Sequence, residues 1–223
     1  LHAWEIWEDP LPSASYSIGG DVSMGLAKGD FAAGSILNVD RMRIVGIYKG
    51  KRDPYEWGQE LCKVGDYYNN ALLVPELTGL GAATVKAIEN EGYHRIYRRQ
   101  NYTGSPRRQS SNAGFLTNVA SKPTMVSRFQ TVFNSGMIDI KQSKIVDEAR
   151  RYVWYRTDVP GKFGCGASTG HDDLIVATML AHEGVPQVPH KRASLGLTTD
   201  ESMVKKLEET ANSGNEEVSD EGW

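Results

Sequence analysis

Asp21, Glu76 and the pair Asp172–Asp173 stand at the ends of patterned segments rather than inside them. Asp21 closes an alternating stretch from Tyr16 to Ser23. There Tyr16, Ile18, Gly20 and Val22 share one face and Ser17, Gly19, Asp21 and Ser23 the other, as in a strand. Glu76 follows the continuous apolar run Ala71–Val74, the pattern of a strand buried on both faces. Asp172 and Asp173 open an apolar helix that runs to about His182. Taken singly, an Asp at a strand end is usually a turn former, and one at a helix start usually a cap or dipole partner. But an acid closing an apolar strand has no local capping job, and two adjacent acids cannot both cap. If the strands ending at Asp21 and Glu76 are parallel neighbours, both acids lie at one edge of a sheet, where ligands of open α/β sheets bind. A helix starting at that edge adds Asp172 and Asp173. Close carboxylates cannot all stay ionised unless a cation neutralises them. Hard oxygen ligands select Mg²⁺ or Mn²⁺ over zinc. Two such ions can clamp the attacking and leaving oxygens of a phosphoryl displacement, which is nuclease chemistry.

The elements that must position these acids read strand, strand, strand, helix, strand, helix over the first 90 residues. After Tyr16–Ser23 come strands at Phe31–Leu37 and Arg43–Tyr48, joined by short connections that predict an antiparallel meander. Asp53-Pro54-Tyr55-Glu56 is a helix start with cap, proline and capping-box acid in place, followed by Trp57, Leu61, Val64 and Tyr68 at helical spacing. A second helix starts at Gly81. Tyr93–Asn112 reads as a short strand and an exposed loop, Pro123–Asn134 and Ser143–Tyr152 as helices, and Tyr155–Ser168 as a glycine-rich loop. Residues 1–14 read as a linker or edge segment without an initiating methionine, 15–184 as the domain, and 185–223 as a polar, flexible tail.

The chain has 223 residues, enough for a full core, with 39% hydrophobic and 24% charged residues, outside the disordered range. No apolar run reaches the ~18 residues of a membrane span. Cys62 and Cys165 form neither a disulfide framework nor a zinc knuckle, which makes a reducing interior the expected setting. The net charge of −3 hides an asymmetry: Leu197–Trp223 holds eight acids and two lysines, so the rest is +3. Such a body permits a nucleic-acid partner. Arg95, Arg98, Arg99, Arg107 and Arg108 fall within fourteen residues, interleaved with Tyr93, Tyr97 and Tyr102. Arginine matches phosphate geometry and tyrosine can stack on bases. A solvated basic surface is the alternative. Lys28, Lys122 and Lys162 are weaker candidates for phosphate contact.

In order, Gly19-Gly20-Asp21-Val22-Ser23 with Lys28-Gly29-Asp30-Phe31, then Pro75-Glu76-Leu77-Thr78-Gly79-Leu80-Gly81, then Gly170-His171-Asp172-Asp173-Leu174-Ile175-Val176-Ala177 resemble the nuclease domain of tailed-bacteriophage large terminase subunits. The segment from Gly114-Phe115-Leu116-Thr117 through Lys122-Pro123 fits the same pattern, and the resemblance covers about Ser15 to Gly184. It implies an α/β, RNase H-like fold: a mixed central sheet with the second strand antiparallel and helices on both faces. It implies that Asp21, Glu76 and one of Asp172 and Asp173 bind two Mg²⁺ or Mn²⁺ ions, with Asp173 favoured. Asp30 and His171 take supporting places beside them. The implied activity is endonucleolytic cleavage of double-stranded viral DNA during genome packaging, leaving a 3′-hydroxyl. The implied partners are DNA, the portal protein, the small terminase subunit and the motor's ATPase domain, in the host cytoplasm. Where the family often has Asn, this chain has Thr78. No G-x-x-x-x-G-K-[ST] loop is present, so no ATPase activity is expected.

Three rival readings share some of these features. A Holliday-junction resolvase of the same fold would prefer four-way DNA. A non-catalytic DNA-clamping or portal-docking module would bind without cutting. A sugar-kinase-like ATPase is disfavoured for want of a second phosphate loop.

Overall fold

The computed structural model describes residues 3–22, 31–100, 109–158 and 163–189, without the side chains of 100 and 109–111. The compact unit Leu1–His190 contains all of them. In chain order the elements are strands β1 (Trp4–Ile6), β2 (Tyr16–Asp21), β3 (Ala32–Asn38) and β4 (Arg43–Gly50), helix α1 (Pro54–Tyr67), β5 (Leu72–Pro75), α2 (Gly81–Asn90), β6 (Arg98–Gln100), β7 (Gln109–Ala113), α3 (Ser121–Asn134), α4 (Ser143–Arg151), β8 (Tyr152–Arg156), β9 (Phe163–Ala167) and α5 (Asp173–Glu183). Among the described residues no helix is long and apolar enough to cross a membrane.

The central sheet has the order β1-β4-β3-β2-β5. β3 is antiparallel to both β2 and β4, and β5 is parallel to β2. The segment around Ile96 continues the sheet beyond β5 through a parallel bridge to Leu73. Parallel pairing follows from the helical crossover α1, whose start is built as the sequence predicts: the Asp53 carboxylate accepts hydrogen bonds from the Tyr55 and Glu56 amides at 2.8 and 3.4 Å.

Two apolar layers cover the sheet. On one side α1 and α2 bury Trp57, Leu61, Val64, Val85 and Ile88 against Tyr16, Ile18, Ile36 and Leu73. On the other, α3, α4 and α5 bury Met125, Phe129, Ile145, Leu174 and Met179 against Ala33, Leu37 and Val74. Ten of the eleven α5 residues are buried, as its apolar composition requires. The helix can lie on β2 because Gly19 leaves room. A Cβ built there would fall 1.9 Å from the Ala177 carbonyl oxygen and 2.5 Å from the Ala181 nitrogen. Directly opposite Gly19 in the ladder, Ser35 Oγ shares a 3.1 Å hydrogen bond with Thr178 Oγ1, a buried polar pair that ties α5 to β3.

Two segments differ from the sequence expectation. Tyr155–Ser168, read as a loop, lies largely in the antiparallel pair β8–β9. Its glycines suggested irregular backbone, but Gly164 lies opposite Tyr155 and a Cβ there would meet that ring at 2.5 Å. The glycine makes room for an aromatic cover, a known device on exposed strands. Tyr93–Asn112 contains two paired strands rather than one, and the sequence of β7, Gln-Ser-Ser-Asn-Ala, carries little strand propensity of its own.

Candidate active site

The parallel pairing of β2 with β5 places their carboxyl ends together. Gly20 lies opposite Pro75, and the Glu76 amide donates to the Gly20 carbonyl at 2.8 Å. Asp21 and Glu76 are thereby neighbours, close enough for each carboxyl to feel the other. Asp21 lies on the α5 side of the sheet, like Gly19, and α5 begins at Asp173 above it. Asp21 and Asp173 are buried, at 9% and 5% exposure. Burial first, then the neighbouring Glu76, then Asp173 and Asp172, push the Asp21 carboxyl well above the usual carboxylate range. Burial likewise raises Asp173, against the lowering effect of Lys49 and His171.

Neither acid of the Asp172–Asp173 pair caps α5 with its side chain. Asp172 occupies the cap position without a side-chain cap bond, and its Oδ2 accepts from the Ala167 amide of β9 at 3.2 Å. Both carboxylates are thus available to the edge where Asp21 and Glu76 stand. His171 lies beside them, its Nδ1 3.8 Å from Asp173 Oδ2 and its ring edge-on to Phe31 at 5.5 Å.

Two site residues escaped the sequence reading. The ladder pairs Asp21 with Ala33 and Ala33 with Lys49, so Lys49 shares a row and a face with Asp21, one small residue between them. Its ammonium lies 2.7 Å from Glu148 Oε1 and 3.1 Å from Asp173 Oδ2. The Asp173 contact is close enough for charge pairing but off the line of a hydrogen bond. Burial alone would lower the Lys49 pKa; Glu148 and Asp173 outweigh it and raise it. Extending the third strand by one residue would have shown Lys49 at the acidic edge. Glu148 left no such signal, because helix α4 reads as an ordinary amphipathic helix.

Thr78, the departure from the family pattern, ties the Glu76 turn down. Its Oγ1 donates to the Thr117 carbonyl at 2.7 Å and accepts from the Thr117 amide at 3.1 Å. Glu76 itself is bridged in parallel to Phe115. Thr78→Val should cost about 1 kcal/mol, the net worth of such bonds, lowering the thermal midpoint by roughly 2–4 °C. Thr78→Ser should retain the parent midpoint in the same melting experiment.

The basic candidates are less concentrated than the acids. Arg95, Arg98 and Arg99 lie half-buried on the strip beyond β5; Arg98 uses its backbone on both sides of Gln187. Tyr93 and Tyr97 are buried, at 8% and 6% exposure, so neither stacks on a base: both pack in the apolar layers. Lys122 stands at the start of α3 with its ammonium 6.0 Å from the Tyr152 ring centre. A cleft of about 280 Å³ runs between Thr117–Pro123 and the β8–β9 pair, with Tyr155 and Phe163 exposed on its wall. Lys28, Asp30, Tyr102, Arg107, Arg108 and Lys162 lie outside the described residues.

The donor chemistry of the edge fits a hard divalent cation. All four acids offer only oxygen, and the Lys49 ammonium at Asp173 offsets part of their mutual repulsion. Among the described residues no three carboxylate, imidazole or thiol groups converge closely enough to hold an ion as they now stand.

No family model matches the chain. The large terminase subunit of Thermus virus P23-45 is 25% identical over 179 residues, which cover 78% of this chain and 33% of that protein. That of Thermus phage G20c is 24% identical over the same length and shares. The chain thus spans about a third of the curated relatives it matches. Among solved structures, the large terminase nuclease of phage G20c with bound magnesium superposes with a TM-score of 0.66 at 23% identity, over 81% of this chain and 87% of that one. The large terminase nuclease domain of Thermus phage P74-26 gives 0.63 at 22% identity, over 82% and 85%. Cobalt- and zinc-bound forms of the G20c nuclease also match. In sequence the chain is similar to bacteriophage large terminase subunits, and in fold to their nuclease domains.

Proposed function

We propose that the chain is a metal-dependent endonuclease that cuts double-stranded DNA during viral genome packaging. The observation that carries this reading is the meeting of acids at one sheet edge: Asp21 and Glu76 at adjacent parallel strand ends, with Asp173, buried like Asp21, opening the helix packed on that face. A buried acidic cluster of this kind is costly to the fold and marks a functional site. The magnesium-bound relative supports the choice of ligand.

Asp21, Glu76 and Asp173 would hold the ions, two Mg²⁺ or Mn²⁺, with Asp172 beside them. Bound there, the ions would supply Lewis-acid activation of water and neutralise charge building on the phosphodiester. The protein's own part is to hold the carboxylates in place: β2 and β5 fix Asp21 and Glu76, and the Gly19 contact seats α5 and Asp173 over them. Asp30 and His171 are proposed to support the site, and Lys28, Arg95, Arg98, Arg99, Arg107, Arg108 and Lys122 to meet the DNA backbone. Cutting of packaged DNA needs little sequence readout, so phosphate contacts suffice. We place 15–184 as the nuclease domain and 185–223 as its acidic tail. The portal, small subunit and ATPase domain are the proposed partners, in the cytoplasm of the infected host.

Supercoiled plasmid, linear duplex and a four-way junction, each incubated with Mn²⁺, Mg²⁺ or EDTA, test the reading. The expected result is metal-dependent cutting of duplex with no preference for the junction, leaving 3′ ends that a polymerase extends. Junction preference would favour a resolvase. Retardation of DNA without cutting under any metal would favour the clamping module.

A further inference from the structure

We propose that Glu148 is a positioning residue of the acidic edge: it holds the first turn of α5 and the Lys49 ammonium at once, and so sets where Asp173 stands and how strongly Lys49 competes for it. The inference rests on the nuclease reading above and names a residue 25 positions before Asp173 in another helix.

The first amides of a helix have no partner within it and need acceptors from elsewhere. In α5 the residue placed to supply one, Asp172, turns its carboxylate to β9 instead. Glu148 takes over. Its Oε2 accepts from the Ile175 amide at 2.9 Å, and its Oε1 accepts from Lys49 at 2.7 Å. The carboxylate is 4% exposed, so both bonds form away from water, where charge-assisted hydrogen bonds are strongest. α4 thereby grips the helix that carries Asp173, and neither Asp172 nor Asp173 is needed as a side-chain cap.

Lys49 sits between the two carboxylates, 2.7 Å from one and 3.1 Å from the other. An ammonium at Asp173 opposes any cation that approaches the same oxygen. Glu148 shares that ammonium, and without its charge Lys49 would rest on Asp173 alone. Removing Lys49 should therefore strengthen divalent binding, and neutralising Glu148 should weaken it chiefly when Lys49 is present.

The test uses the whole chain and Mn²⁺ itself, with free Mn²⁺ read by electron paramagnetic resonance. In Glu148→Gln the amide oxygen can still accept from Ile175, so the helix stays gripped while the charge is lost. Mn²⁺ affinity should fall about tenfold, the scale of lost outer-shell partners. Lys49→Met should bind Mn²⁺ more tightly than the parent, and adding Glu148→Gln to it should change affinity by less than about twofold, since the two effects are coupled. Hydrogen exchange of the Ile175 amide in metal-free protein should quicken in Glu148→Ala and stay slow in Glu148→Gln. Equal loss of affinity in both backgrounds, unchanged affinity in Glu148→Gln, or unchanged exchange in Glu148→Ala would overturn the proposal. Absence of Mn²⁺ binding by the parent would instead overturn the nuclease reading, and the exchange experiment would still decide whether Glu148 grips α5.

Discussion

Asp21→Asn should abolish metal-dependent DNA cleavage and, at the same time, stabilise the metal-free fold. The loss should be about 10²–10³-fold, the scale seen when one electrostatic group of a preorganised site is removed. The gain in stability follows from the environment of the group. Burial, Glu76 and the two acids of α5 hold the Asp21 pKa well above 3.8 in the folded chain. An acid raised in this way binds its proton more tightly folded than unfolded. Its favourable contribution is complete at low pH and is lost as pH rises from the ordinary carboxylate value through the raised one. The parent in EDTA should therefore lose thermal stability across that interval relative to Asp21→Asn, which has nothing to ionise there. Asp173 is raised as well and is present in both proteins, so the difference between them reports Asp21. Melting curves in EDTA at several pH values, beside plasmid cleavage in Mn²⁺, check both halves. A variant that cuts as well as the parent, or melts lower at neutral pH, would refute this account of the residue.

Gly19→Ala should be among the most damaging single-methyl additions in the chain. The new Cβ would lie 1.9 Å from the Ala177 carbonyl oxygen. That contact is with backbone of a buried helix, so no side chain can rotate away. Overpacking costs up to about 3 kcal/mol and occasionally more, and here the upper end is expected, about 6–12 °C in thermal midpoint for a domain of this size. The functional effect should be larger than the stability effect. α5 carries Asp173, and β2 carries Asp21 two residues beyond Gly19, so lifting the helix separates the acids directly. Displacements of about 1 Å can cost 10²-fold in rate. Cleavage assayed well below the variant's melting temperature should therefore fall at least about that far. Unimpaired cleavage would mean that the α5–β2 spacing does not set the site.

The acidic edge was legible because its logic is local. An alternating stretch carried Asp21 near its end, an apolar run ended at Glu76, and adjacent acids opened an apolar helix. Capping, the usual role of an acid at a helix start, falls to neither Asp172 nor Asp173, since neither side chain caps α5. That duty passes to Glu148, and side chains that meet only through tertiary packing leave no periodic trace. Lys49 was hidden by a single residue, the one beyond the expected end of its strand, yet strand register places it in the Asp21 row. The β8–β9 pair was missed because its glycines serve cross-strand packing rather than a turn. Tyr93 and Tyr97 misled in the opposite sense: aromatic residues among arginines suggested a stacking surface, and both pack inside.

Anomalous diffraction from crystals of the chain soaked in Mn²⁺ would show whether Asp21, Glu76 and Asp173 form one divalent-metal site. A peak bounded by those three carboxylates is expected, absent from Asp21→Asn crystals treated alike. A parent crystal with Mn²⁺ bound elsewhere and none at this edge would contradict it.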